Sequence, residues 1–400
     1  MFIKQAFKGE NDWWRYLLVT ILVLIGYQIG SAPLVMALYR AKAKHPELDL
    51  DVQEFFSNPD FSQFYINDNL GLTLMLLVFV AAMVTFYFLF RPIHKREFKT
   101  LTRTKTTLNW GKILFAFLLW LTLSACFEAI GYFMSPEGYE FTFRWNTFIP
   151  LLVISVLILP IQTSFEEIFF RGYLLQGIGI SRWTHIMAIL AAATVAYVLD
   201  KALVGRFSNS MDVLNAASFN LMAKSVSLLV FGTLAFILVR IIQNRETNFN
   251  STQPQNFKFI PLIVTSILFG LVHSANPEIE KFGFMTMQMY YISAGLFLGI
   301  LTLMDDTLEL ALGVHAATNF TGAVLVGYDG GAIKTESLFT SHQLNAQLML
   351  AGFFVIAGIF LLIVKSKYKW GSFSKLIEPI YKPDEDLALN QLFKDTKPTT

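Results

Sequence analysis

Between Tyr16 and Leu38 the chain runs twenty-three residues without one charged side chain, and comparable apolar runs recur along its length. A helix needs about 17–25 such residues to cross roughly 30 Å of hydrocarbon. No water reaches the backbone at that depth, so each crossing segment must satisfy its own N–H and C=O groups, which a helix does within itself. Spanning helices are expected at 16–38, 70–90, 111–134, 147–178, 184–204, 225–243, 259–275, 284–303, 307–327 and 345–366. The expected fold is therefore all-α, a polytopic transmembrane bundle of about ten helices. A composition of 54% hydrophobic residues with 39 Phe exceeds what a water-soluble core needs.

Charge gives the orientation. The 91–112 loop carries Arg91, Lys95, Arg96, Lys99, Arg103, Lys105 and Lys112 against Glu97 alone, which places it in the cytoplasm. An even number of crossings then puts both termini on that side, and Lys365, Lys367 and Lys369 after the last run agree. The positive start and first apolar run resemble a signal peptide. The run is too long for a signal's apolar region, however, and Pro33 follows the small-residue pair Ser31–Ala32, so a retained anchor is expected. Basic residues gather beside apolar runs and the net charge is only +2, which points to the lipid bilayer as partner and to no nucleic acid. Cys126 is the sole cysteine, excluding an intrachain disulfide and a multi-cysteine metal site. The organisation read here is N-terminal helices and loops over 1–146, a core over 147–327, an external loop and final helix over 328–366, and a polar cytoplasmic tail over 367–400.

Within these apolar runs a few ionisable groups stand out, and charges inside a bilayer are costly unless paired or facing a wet cavity. "SFEEIFFRGYLLQG" (164–177) holds Glu166, Glu167 and Arg171; His273 ends "SILFGLVH"; His315 and Asn319 lie in "LGVHAATNF". Glu167 and Arg171, Phe269 and His273, and His315 and Asn319 are each four residues apart, so each pair shares a helix face. Depth tests whether the groups meet. At 1.5 Å per residue Glu166 lies about 17 Å from the cytoplasmic end of its run, His273 about 21 Å, His315 about 12 Å and Asn319 about 18 Å. The 147–178 run is too long to cross without a tilt or kink, expected at Pro160.

Such a set suits water activation. A carboxylate removes a proton while a facing imidazole fixes the same water, roles that fall to Glu166 and His273. Imidazole and amide N–H groups on one face, from His315 and Asn319, suit the oxyanion formed when water attacks a peptide carbonyl. Arg171 is expected to neutralise Glu167, whereas Glu166 has no obvious local partner. Asp306 and Glu309 read as a helix-capping pair, and His94 as a solvated interfacial residue.

"EEIFFRG", "FGLVH" and "HAATN", in this order and apolar context, resemble the three motifs of the CPBP family of intramembrane proteases, which includes CAAX prenyl endopeptidases and bacteriocin-immunity or bacteriocin-processing proteins. The resemblance covers roughly 147–327 and implies an endopeptidase acting on a membrane-associated peptide or protein, in a bacterial plasma membrane. It carries catalytic roles onto Glu166, Glu167, Arg171, His273, His315 and Asn319. The 107-residue interval from Glu166 to His273 is longer than the family's usual spacing, and a two-helix insertion at 184–243 accounts for it. Glu166, His273 and His315 also form a ligand set suited to a divalent metal such as zinc. A metal-free glutamate mechanism uses the same residues and is the preferred expectation. No H-E-x-x-H motif supports a different zinc protease. Two alternatives stay open: a proton-coupled transporter whose buried acids and histidines relay protons, and a non-catalytic scaffold or immunity protein of the same fold.

Overall fold

The computed structural model describes residues 2–48, 50, 52, 55, 60–104, 107–207, 230, 232–239, 241–242 and 254–382. They are mostly helical. In chain order the helices are α1 (Trp13–Gly30), α2 (Ala32–Lys44), α3 (Asp68–His94), α4 (Trp110–Met134), α5 (Trp145–Leu157), α6 (Leu159–Glu167), α7 (Leu175–Ile180) and α8 (Trp183–Phe207). They continue with α9 (Phe259–Val272), α10 (Pro277–Phe282), α11 (Phe284–Asp305), α12 (Glu309–Phe320) and α13 (Ala346–Lys367). Among the described residues six stretches are long and apolar enough to cross a membrane: Trp13–Lys44, Asp68–His94, Trp110–Met134, Trp145–Ile180, Phe284–Asp305 and Ala346–Lys367. Of the other expected spans, 184–204 falls in α8, 259–275 in the 14-residue α9, and 307–327 in the 12-residue α12 with its extension. Of the expected 225–243 span, residues 230, 232–239 and 241–242 are described and helical, and the rest lie outside the described residues.

The chain divides into two compact units, one of Met1–Gly177 with Lys258–Glu378 and the other of Ile178–Phe257 with Pro379–Thr400. The second unit contains α8 and an antiparallel pair of two-residue strands, Asn256–Phe257 on Pro379–Ile380. The first holds all six candidate site residues.

In the first unit α12 packs against α4, α6 and α11. Its small residues allow this: a Cβ at Gly313 would run into the Ile113 carbonyl and come within 2.9 Å of the Phe117 nitrogen. Close backbone approach through glycine is how helices pack where lipid supplies no hydrophobic drive. Gly295 of α11 likewise faces the Ser266 backbone of α9. Trp120, Phe297, Phe353 and Phe360 fill the space between α4, α11 and α13. A second apolar cluster, including Leu72, Leu151, Leu159 and Val324, joins α3, α5 and α6 to the end of the α12 extension.

Two departures from regular helix shape the interior. The 145–180 run breaks at Ile158, just before Pro160, whose missing N–H and ring cannot continue the preceding turn. Immediately after Glu167, residues Ile168–Leu174 form a π-helical segment, and Thr321–Leu325 form another after α12. Beyond the second, strands Tyr139–Phe141, Phe339–Ser341 and Val326–Tyr328 make a small sheet with the 339–341 strand in the middle. These strands are too short for a two-residue alternation to announce them.

Two surface expectations change. His94 is wholly buried, its Nδ1 2.9 Å from the Glu10 carbonyl and its Nε2 2.9 Å from the Tyr173 hydroxyl, because the end of α3 packs under the motif helix. Asp306 does not cap the start of α12: it is the left-handed residue (φ 58°) that ends α11, and it accepts from the Phe2 backbone amide at 2.8 Å and Lys375 at 2.9 Å. Glu309 instead accepts from the Asn109 amide at 2.6 Å.

Candidate active site

The three motifs meet. Glu166 and Glu167 end α6, His273 follows the last residue of α9, and His315 and Asn319 lie on one face of α12. Glu166 Oε2 stands 3.7 Å from His315 Nε2 and 4.0 Å from His273 Nε2. That oxygen is buried and has no hydrogen-bond partner among the described residues. Three helices far apart in sequence thus bring these side-chain atoms to within 4.0 Å of Glu166 Oε2.

Partners fix the imidazole tautomers. A carbonyl can only accept, so the 2.6 Å contact from His273 Nδ1 to the Phe269 carbonyl puts the proton on Nδ1 and turns the Nε2 lone pair toward Glu166. His315 Nδ1 lies 2.7 Å from Glu167 Oε1 and donates to it, again leaving Nε2 to face Glu166. Sequence reasoning had linked Glu167 only to Arg171. The carboxylate meets both: Arg171 Nη1 donates to the same Oε1 at 2.9 Å, and neither side chain is exposed. The guanidinium also lies over the Phe269 ring, 4.0 Å from its centroid, an arrangement that stabilises a desolvated cation.

Two residues enter the site that the sequence reading passed over. Gln162, one turn before Glu166, donates from Nε2 to Glu166 Oε1 at 2.5 Å and accepts at Oε1 from Asn319 Nδ2 at 2.8 Å. It is the local partner Glu166 had lacked, and its i, i+4 spacing was the available signal. Tyr291 of α11 stacks on His273, ring centroids 4.4 Å apart and planes 24° off parallel, while its hydroxyl accepts from Asn276 Nδ2 at 3.1 Å. No spacing rule connects 291 with 273; only the fold does.

The donor set also bears on a metal. A tetrahedral ion with bonds of about 2.1 Å holds its ligands about 3.4 Å apart. The Glu166–His315 and Glu166–His273 separations are both wider, and among the described residues no three His, Cys, Asp or Glu side chains form a group able to hold a metal ion. As placed, the residues do not fit a zinc site.

Fold and site define a polytopic helical integral membrane protein with carboxylate and imidazole groups gathered in its interior. Residues 145–321, which contain all six motif residues, match the family described as type II CAAX prenyl endopeptidase Rce1-like, bearing out the resemblance read from the motifs. The chain is also similar to a Bacillus subtilis (strain 168) protein named YyaK and described as uncharacterized, with 25% identity over 356 residues, 88% of this chain and 91% of that one. No solved structure matches.

Proposed function

We propose that this protein hydrolyses a peptide bond of a membrane-associated peptide or protein, with Glu166 as the base that activates water. The observation that carries the reading is the buried, unpartnered Glu166 Oε2 facing the Nε2 atoms of two histidines. A water between Glu166 Oε2 and His273 Nε2 donates a hydrogen bond to each, because both are acceptors, and turns a lone pair outward. As its oxygen bonds to the scissile carbonyl carbon, the proton passes to Glu166 and the carbonyl π pair moves onto the oxygen. His315 as the imidazolium, its Nδ1–H donated to Glu167 and its Nε2–H free to donate, and the second N–H of Asn319 stabilise that oxyanion. Glu166 then returns the proton to the leaving nitrogen, the C–N bond breaks, and an acid and an amine result.

Glu167 and Arg171 orient His315 and complete the charge balance. No step needs a metal, and the mechanism is read as metal-free. The family resemblance and the Bacillus relative support a bacterial plasma membrane as the site of action. The prenyl group in the family's description supports testing lipidated peptides first.

The test uses purified protein in phospholipid vesicles with internally quenched peptides, farnesylated and unmodified. Wild-type protein cleaves at least one class and Glu166→Gln cleaves neither. Cleavage retained by Glu166→Gln would refute the assigned base, and substrate counterflow without proteolysis would establish a carrier instead.

A further inference from the structure

Gln162 is neutral and lies outside the three motifs, yet it touches two of the groups that carry the chemistry. Its amide has no freedom in this setting. The Asn319 Nδ2 contact at 2.8 Å requires an acceptor, so the carbonyl oxygen faces α12, and the 2.5 Å contact to Glu166 Oε1 requires a donor, so Nε2 faces the carboxylate. The side chain is buried, so an amide turned the other way would leave its polar atoms unpaired away from water. The direction of the chain is thus set: Asn319 N–H to Gln162 C=O, and Gln162 N–H to Glu166.

The consequence concerns which oxygen reacts. Oε1 of Glu166 is taken by Gln162, and Oε2 is the one left facing the His273 and His315 nitrogens. The same contact removes one of the two Asn319 N–H groups from any role at the oxyanion, leaving the other. Without Gln162 the Glu166 carboxylate is held in place by no side-chain hydrogen bond among the described residues, since its histidine neighbours lie beyond hydrogen-bonding distance.

We infer that Gln162 is a positioning residue that locks the Glu166 carboxylate with Oε2 toward the reacting water and couples it to Asn319. This rests on the proteolytic reading above. It extends the machinery to a residue that acts through Glu166 and touches no substrate. A misplacement of about 1 Å at a reacting group costs up to about 100-fold in rate.

The experiment compares wild type, Gln162→Met, Gln162→Leu and Glu166→Gln in vesicles, using the quenched peptides and infrared spectroscopy. Subtracting the Glu166→Gln spectrum isolates the Glu166 carboxylate stretch and needs no substrate. Gln162→Met keeps the length of the side chain and removes both hydrogen bonds; Gln162→Leu serves if it folds poorly. The expected result is a displaced carboxylate band, a kcat about 10–100-fold lower and a KM within about twofold of wild type. An unmoved band overturns the inference whatever the rate, because Glu166 is then held by something else. A moved band with unchanged kcat overturns it as well, since the contact is then without catalytic consequence. Cleavage retained by Glu166→Gln overturns the assignment of Glu166 as the base and this inference with it, a result that the Gln162 variants alone would not give.

Discussion

Replacing Arg171 by Met tests how the buried charges are balanced. Arg171 and Glu167 are both wholly buried, one helical turn apart, with a 2.9 Å contact between Nη1 and Oε1. Removing one partner of a buried pair leaves the other charge desolvated and costs about 3–5 kcal/mol, whereas replacing both by neutral groups of similar volume is often close to neutral. Here Glu167 keeps the hydrogen bond from His315 Nδ1 at 2.7 Å, so the loss sits at the lower end, about 3 kcal/mol. The guanidinium contact with the Phe269 ring adds about 0.5–2 kcal/mol that Met only partly replaces. Arg171→Met should therefore unfold about 3–4 kcal/mol more easily than wild type, and Arg171→Met with Glu167→Gln should recover about 2 kcal/mol of that. Reversible unfolding in lipid-like detergent, for all four members of the double-mutant cycle, measures both quantities. A single variant within about 1 kcal/mol of wild type, or a double variant no more stable than the single, would mean that Arg171 does not balance Glu167.

Three further outcomes follow from the same geometry. Gly313→Ala should lose about 1–3 kcal/mol and most cleavage activity, because the added methyl pushes α12, and His315 two residues on, away from Ile113 and Phe117; unfolding within about 0.5 kcal/mol of wild type contradicts the close approach. The hydrogen bonds of His342 to Asp329 and Glu140 raise its pKa above 6.5, so the tie they make is fully present below about pH 6.5 and is lost as pH rises through the raised value. Amide exchange in 329–342 should quicken over that rise, and an unchanged rate from about pH 6 to 9 counts against the tie. Exhaustive chelation should leave the cleavage rate within about twofold of untreated protein; inactivation reversed by zinc would replace the metal-free mechanism.

Much of the fold was legible because membrane crossing imposes a length and a composition that no other constraint disguises. α3, α4, α11 and α13 coincide with long, predominantly apolar runs. α12 did not announce its true extent, for its 12 residues are surrounded by protein and its apolar continuation runs into a π segment and a strand. The six motif residues could be found because a charge or imidazole in an apolar helix is conspicuous. Gln162 and Tyr291 were not, since a neutral amide or a tyrosine in such a helix is ordinary until its neighbours are known. The second role of Glu167 was hidden for the same reason: its i, i+4 partner lies in the sequence, and its partnership with His315 spans 148 positions.

The wide turn at Ile168–Leu174 makes the site sensitive to an unusual kind of change. A π segment carries an extra residue relative to an α-helix, so deleting one amino acid there would let the backbone relax into regular winding. Inserting one, with no second bulge to absorb it, would instead turn everything downstream by about 100° about the helix axis. Tyr173 would swing away from His94 and Gln176 from Arg96, contacts now 2.9 Å each. A single-codon gain in this stretch would thus detach the end of the helix around Tyr173 and Gln176 while leaving both glutamates untouched, and substitutions there should be tolerated far better than such a gain.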